Sequence, residues 1–77
     1  MKHGQVSIYS LEGDLKFQGH FTNGKANGFC MEYQEGKVVF EGEYKDGLKN
    51  GRGFEYDKFG KYSVTYNNGK KMELQPE

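Results

Sequence analysis

Two histidines, one cysteine and a scatter of carboxylates are the residues of this 77-residue chain with the means to do chemistry. A cysteine–histidine nucleophile needs the two groups within hydrogen-bond reach and a third group to orient the imidazole. Strand alternation puts His20 and Cys30 on one polar face, but no orienting partner is evident, and His3 stands apart near the start. A filler cysteine and a solvated histidine are the simpler reading. Glu32, Glu41, Glu43 and Glu55 fall on the same polar face. Paired carboxylates do acid–base work when burial drives their pKa values apart, whereas this face reads as wet. No His, Cys and carboxylate set has the spacing of a zinc or calcium site. The many glycines lack the strand, loop and helix start of a phosphate loop. The sequence therefore predicts a non-enzymatic protein with no metal and no cofactor.

The cations are better organised. Lys25, Lys45, Lys49, Arg52, Lys70 and Lys71 fall beside Gly-containing turns, opposed mainly by Asp46 and Glu73. Such a rim attracts anionic headgroups at about 1 kcal/mol per charge near a membrane surface. Lysine also simply populates solvated turns and blocks unwanted edge pairing. Lys plus Arg and Asp plus Glu number 11 each. That balance argues against the basic footprint of a nucleic-acid binder, and rings that stack bases need a positive groove beside them. A single cysteine excludes an internal disulfide. The start, Met1 to Val6, has no signal-peptide apolar run, and no stretch approaches the ~20 apolar residues of a membrane span. The expected location is cytoplasmic.

The elements that hold these residues recur with a period of about 23 residues. Phe17-x-Gly19-x-Phe21, Phe40-x-Gly42-x-Tyr44 and Tyr62-x-Val64-x-Tyr66 are successive copies. Each runs into a turn, at Asn23-Gly24, Asp46-Gly47 and Asn68-Gly69, and Gly28, Gly51 and Gly53 follow the first two. Between copies lie β-rich runs ending in Tyr9, Tyr33 and Tyr56, each meeting a Gly-bearing turn. Gly-bearing turns between β-rich runs are hairpin signals. The expectation is an all-β, single-layer, twisted antiparallel meander of three stacked hairpins, six strands in all, at about 4–22, 28–45 and 51–67. Residues 72–77 read as a non-repetitive tail in which Pro76 is unsuited to a ladder. No segment has a helical apolar period.

Side chains alternate faces along a strand. Phe17, Phe21, Phe40, Tyr44, Tyr62 and Tyr66 are expected on one face, joined by Tyr33, Phe54 and Tyr56. Gly19, Gly24, Gly28, Gly42, Gly47, Gly51, Gly53 and Gly69 are the structural glycines, and a ring covering a strand glycine would shield its backbone. Gln18, His20, Glu41, Glu43, Ser63 and Thr65 fall on the opposite face, together with Glu32 and Glu55; Val6, Ile8 and Cys30 are its apolar members.

Phe40-x-Gly42-x-Tyr44-x-x-Gly47-x-x-x-Gly51-x-Gly53 resembles the repeat of the MORN (membrane occupation and recognition nexus) family. The first copy matches except for Cys30 in the place of Gly53, and the third lacks three of the glycines. The resemblance covers residues 4 to about 71. It implies an elongated twisted sheet of stacked hairpins, with roles in scaffolding, dimerisation and protein binding, an uneven link to phospholipids, and some antitoxin-like small proteins. The residues add an argument of their own. A lone sheet with few Leu and Ile, and no covering helix, either curls over its own rings or has part of that face covered by another protein. We therefore expect a protein-binding module or homodimer acting through the aromatic face or the sheet ends. The alternatives are attachment to anionic lipid through the lysine rim and inhibition of a single target.

Overall fold

The computed structural model describes residues 4–76. Their strands are β1 (Gly4–Tyr9), β2 (Leu15–Thr22), β3 (Lys25–Gln34), β4 (Lys37–Lys45), β5 (Leu48–Asp57), β6 (Gly60–Asn67) and β7 (Lys70–Pro76). They lie in chain order in one sheet, and every neighbouring pair is antiparallel. The principal extents are 36 × 28 × 15 Å, and all seven strands belong to the one sheet.

The all-β meander is as expected, but it has seven strands and not six. Asn23-Gly24, Asp46-Gly47 and Asn68-Gly69 all have positive φ at both residues. This is the backbone of two-residue type I′ turns, whose twist matches that of the strands they join. They are hairpin turns in their own right, so the stretches left between the expected hairpins are these turns and the opening residues of β3 and β5. The third turn sends the tail back along β6 from Asn67↔Lys70 to Tyr62↔Pro76. Pro76 is tolerated because alternate N–H groups of an outermost strand point away from the sheet and have no hydrogen bond to lose. His3 and Glu77 lie outside the described residues.

Register corrects the expected faces. Beyond the turn at Glu35-Gly36 the pairing begins Gln34↔Lys37 and Tyr33↔Val38, then shifts to Glu32↔Phe40. Val39 is the extra residue of a β-bulge, and one extra residue flips everything beyond it to the other face. Without it Tyr33 would share a face with Phe40; with it Glu32 does. On the far side Phe40 pairs with Glu55, which pairs with Tyr62. Glu32 and Glu55 therefore belong to the aromatic face, as do Val6, Ile8 and Cys30, which pair with Gly19, Phe17 and Gly42. Tyr33, Phe54 and Tyr56 fall on the opposite face, beside Gln18, Glu41 and Ser63.

Rings come from β2, β4 and β6, and small residues from the strands between. Phe17 contacts Phe21 and Tyr44 with centroids 5.9 and 5.4 Å apart. Phe40 contacts Tyr44 and Tyr66 at 6.0 and 5.7 Å. All four pairs are edge-to-face, an arrangement the ring quadrupole favours. Ala26, Cys30, Phe40, Tyr44, Val64 and Tyr66 form the buried cluster, with Phe17 and Phe21 packed against it. Beneath the rings, Gly42 pairs with Gly53. A Cβ on Gly53 would stand 2.8 Å from the Phe40 ring and 2.7 Å from the Glu41 carbonyl oxygen.

Successive turns are also fastened to one another. Asn27 Oδ1 accepts from the Asp46 N–H at 3.0 Å, and Asn50 Oδ1 accepts from the Asn68 N–H at 2.9 Å. The Gly47 and Gly69 N–H groups donate to the Ala26 and Lys49 carbonyls. Asn27 and Asn50 thus each brace the turn of the following repeat.

Overpacking costs typically about 1–3 kcal/mol. Gly53→Ala is expected to lower stability by about that much in urea unfolding. Gly60→Ala, where a Cβ meets nothing within 4 Å, should stay within about 0.5 kcal/mol of the parent.

Candidate functional site

Three groups of residues carry the chemistry of this sheet: the charged groups set among the rings, a groove on the opposite face, and the outer strands. On the ring face the same cluster occurs twice. Lys49 Nζ lies 3.0 Å from Glu32 Oε1 and 4.1 and 5.1 Å from the centroids of Phe40 and Tyr66. The Tyr44 hydroxyl is hydrogen-bonded to Glu32. One repeat on, Lys71 Nζ lies 2.9 Å from Glu55 Oε1, and the Tyr66 hydroxyl donates to Glu55 Oε2 at 2.5 Å. The register explains the assembly, because Tyr44 pairs with Lys49 and Tyr66 with Lys71, while each glutamate sits two rungs along the same face.

A Tyr–Lys–Glu set can serve as a proton relay, but its electrostatics run the other way. Burial and then the neighbouring Glu32 carboxylate push the Tyr44 hydroxyl well above its ordinary range. Burial and Glu55 do the same to Tyr66. Both phenols are held as hydrogen-bond donors, which makes them clamps for the carboxylates and not bases. Burial also opposes the charge on Glu55, yet hydrogen bonds from Tyr66 and Lys71 outweigh it and hold its pKa below the usual glutamate value. Cys30 is fully buried, and desolvation raises its thiol despite the His20 backbone contact. The thiol reaches the main-chain carbonyls of His20 and Gly28 at 3.8 and 3.7 Å. A buried thiol with a raised pKa is the opposite of an activated nucleophile. Among the described residues no group of three or more His, Cys, Asp or Glu is arranged to hold a metal ion.

The opposite face carries a groove of about 450 Å³ lined by Phe29, Phe54, Arg52, Glu41, Glu73 and Gln75, among others. Beside it the Tyr56 hydroxyl donates to Glu41, and Lys61 lies 4.2 Å over the Phe54 ring. Tyr33 donates to Gln18 on this face at 3.3 Å. Three of the nine expected ring-face aromatics therefore act here. Tyr62 lies half-buried on the ring face beside Glu55.

The lysine rim is divided. Lys25, Lys45 and Lys70 are exposed and flank the type I′ turns. Lys49 and Lys71 are committed to Glu32 and Glu55, and Arg52 lines the groove on the other side. Sequence reasoning missed the paired clusters and the bracing asparagines. Both were visible as further columns of the repeat: Glu32 with Glu55, Lys49 with Lys71, and Asn27 with Asn50.

Exposed large apolar side chains gather toward the outer strands. Ile8, Tyr9 and Leu11 lie on or just beyond β1, and Met72 and Leu74 lie on β7. Phe29, Leu48 and Phe59 complete the set. Among the described residues no helix is long and apolar enough to cross a membrane. No family model, curated protein or solved structure matches this chain.

A carboxylate whose folded pKa is depressed contributes stability above its unfolded pKa, about 4.3 for Glu, and loses that contribution as pH falls through the folded value. Thermal melts should therefore show wild type losing stability between about pH 7 and pH 3. Glu55→Gln is expected to shrink that loss, and Tyr66→Phe to shrink it in part. A pH response identical in all three proteins would overturn the assignment.

Proposed function

We propose that this chain is a non-enzymatic protein-binding module that engages its partner through the outer strands of the sheet. The observation that carries this reading is where the apolar surface is left. Phe40 is 2% exposed, and Tyr44 and Tyr66 are 9% exposed, so the central rings are used up in holding the sheet together. Ile8, Leu11 and Leu74 remain uncovered at its two sides, at 41, 105 and 45%. Apolar side chains left uncovered at the sides of a sheet are surface that a protein partner can cover, and an open edge free of charge can also accept a further strand. The resemblance to MORN repeats, with their scaffolding roles, points the same way. A scaffold and a single-target inhibitor differ here only in the number of proteins bound. Attachment to anionic lipid is the weaker reading, because two of the six rim cations are neutralised on the ring face and a third lies across the sheet.

Affinity purification of the tagged chain from its native cell tests the reading. Ile8→Glu or Leu74→Glu is expected to release the bound protein, while Lys25→Glu with Lys45→Glu leaves it in place. Loss in the lysine variant with retention in both apolar variants would favour lipid and reject the protein-binding surface.

A further inference from the structure

The two outer strands differ in kind. β7 carries Lys70, Lys71, Glu73 and Pro76, the residues that discourage a further strand from joining. β1 reads Gly-Gln-Val-Ser-Ile-Tyr, with neither a charge nor a proline. Among the described residues its outer edge pairs with nothing. Ile8 stands beside Phe17 and Val6 beside Gly19, so β1 is also where the ring face runs out to the side of the sheet.

We propose that β1 is a seam between two copies of this chain, each laying its first strand antiparallel against the other's so that two sheets continue as one. This rests on the protein-binding reading and names the partner for one of the two edges. Antiparallel pairing centred on Ser7 is self-complementary: Ser7 faces Ser7, and Val6 of one copy faces Ile8 of the other. Because the offset is even, every side chain keeps its face, and the apolar row through Phe17 and Ile8 runs unbroken across the seam. A two-fold contact of this kind closes on itself, leaving β7 outermost on both sides. Pairing β1 with the β7 of another copy would be open-ended, and would set the uncharged strand against two lysines and a proline. Zero net charge means no long-range repulsion between copies.

Sedimentation equilibrium of the full chain should give a dimer at micromolar concentration. Ser7 is exposed and only accepts a surface hydrogen bond from Gln18, so its replacement leaves the core alone. Ser7→Lys and Ser7→Glu each place like charges opposite one another and should weaken the dimer at least about tenfold. An equimolar mixture of the two should restore it, and Gln75→Lys on β7 should have no effect. Hydrogen exchange of the unsubstituted chain gives a second readout: the Gln5–Ile8 amides should gain protection as concentration rises. A monomer throughout the micromolar range, a dimer untouched by both Ser7 variants, sensitivity to Gln75→Lys, or concentration-independent exchange at β1 would each overturn the seam. A monomer that still retains protein through Leu74 rejects the seam alone; loss of self-association and of every bound protein rejects the protein-binding reading with it.

Discussion

Phe40 stands over the place where Gly42 of β4 faces Gly53 of β5, its ring within 2.9 Å of where either glycine's Cβ would be. A one-layer sheet has no second layer to bury its apolar face against, so its rings must find cover in the sheet itself. They do so by leaning over strands that carry almost no side chain at that level. Phe17 can reach Tyr44, and Phe40 can reach Tyr66, only because the intervening strands present small residues there. The glycines are thus part of the core, as the volume into which the rings pack. Tight ring-on-backbone packing is also why this thin sheet has an interior at all, at Cys30, Phe40 and Val64.

The three copies meet the same demand with different atoms. Cys30 occupies in the first repeat the position that Gly53 holds in the second. Its sulfur would stand 2.3 Å from a Cβ on Gly19, so it fills the space that the Phe40 ring fills one repeat later. Phe17 is correspondingly freed to pack on Phe21 and Tyr44. Val64, in the place of Gly42, faces Gly53 and covers it from the other side. Departures from the repeat are therefore paired exchanges of volume between neighbouring strands, in which a larger residue on one strand meets a glycine on the next. Neither end copy need be read as decay of the pattern.

Much of this is legible in the sequence. Period, turn chemistry and the absence of helical patterning specify an antiparallel meander, because Asn-Gly and Asp-Gly dictate hairpin geometry locally. What could not be read was parity. The extra residue at Val39 has no signature in residue type, yet it decides whether Tyr33 or Glu32 accompanies Phe40. The seventh strand is a different case: Asn68-Gly69 announces a reversal whatever the composition of the residues after it, and that composition hides the strand. Edge strands have weak compositional demands, so Lys-Lys-Met-Glu-Leu-Gln-Pro looks like a tail and pairs as a strand. The paired Glu, Tyr and Lys were hidden by assigning charge to the solvated face by default.

That default fails here for a physical reason. Lys49 and Glu32 remain 25 and 38% exposed at their side chains, so their attraction is screened and worth little by itself. Their use is in cover and register. The Lys49 ammonium lies over the Phe40 and Tyr66 rings, where a carbon lid would have served to exclude water but would have left an apolar patch facing outward. A lysine stem covers the ring while its head stays wet, and the glutamate beside it fixes which way the head points. Shifting β5 by one rung would strand Lys49 away from both Glu32 and the rings, so the polar contacts penalise the slips that a glycine-rich strand would otherwise tolerate. The ring face is thereby closed off by the chain's own charges, and the apolar surface still open for recognition is displaced toward the sides of the sheet. There β7 carries the same kind of charge that caps the rings, and β1 carries none.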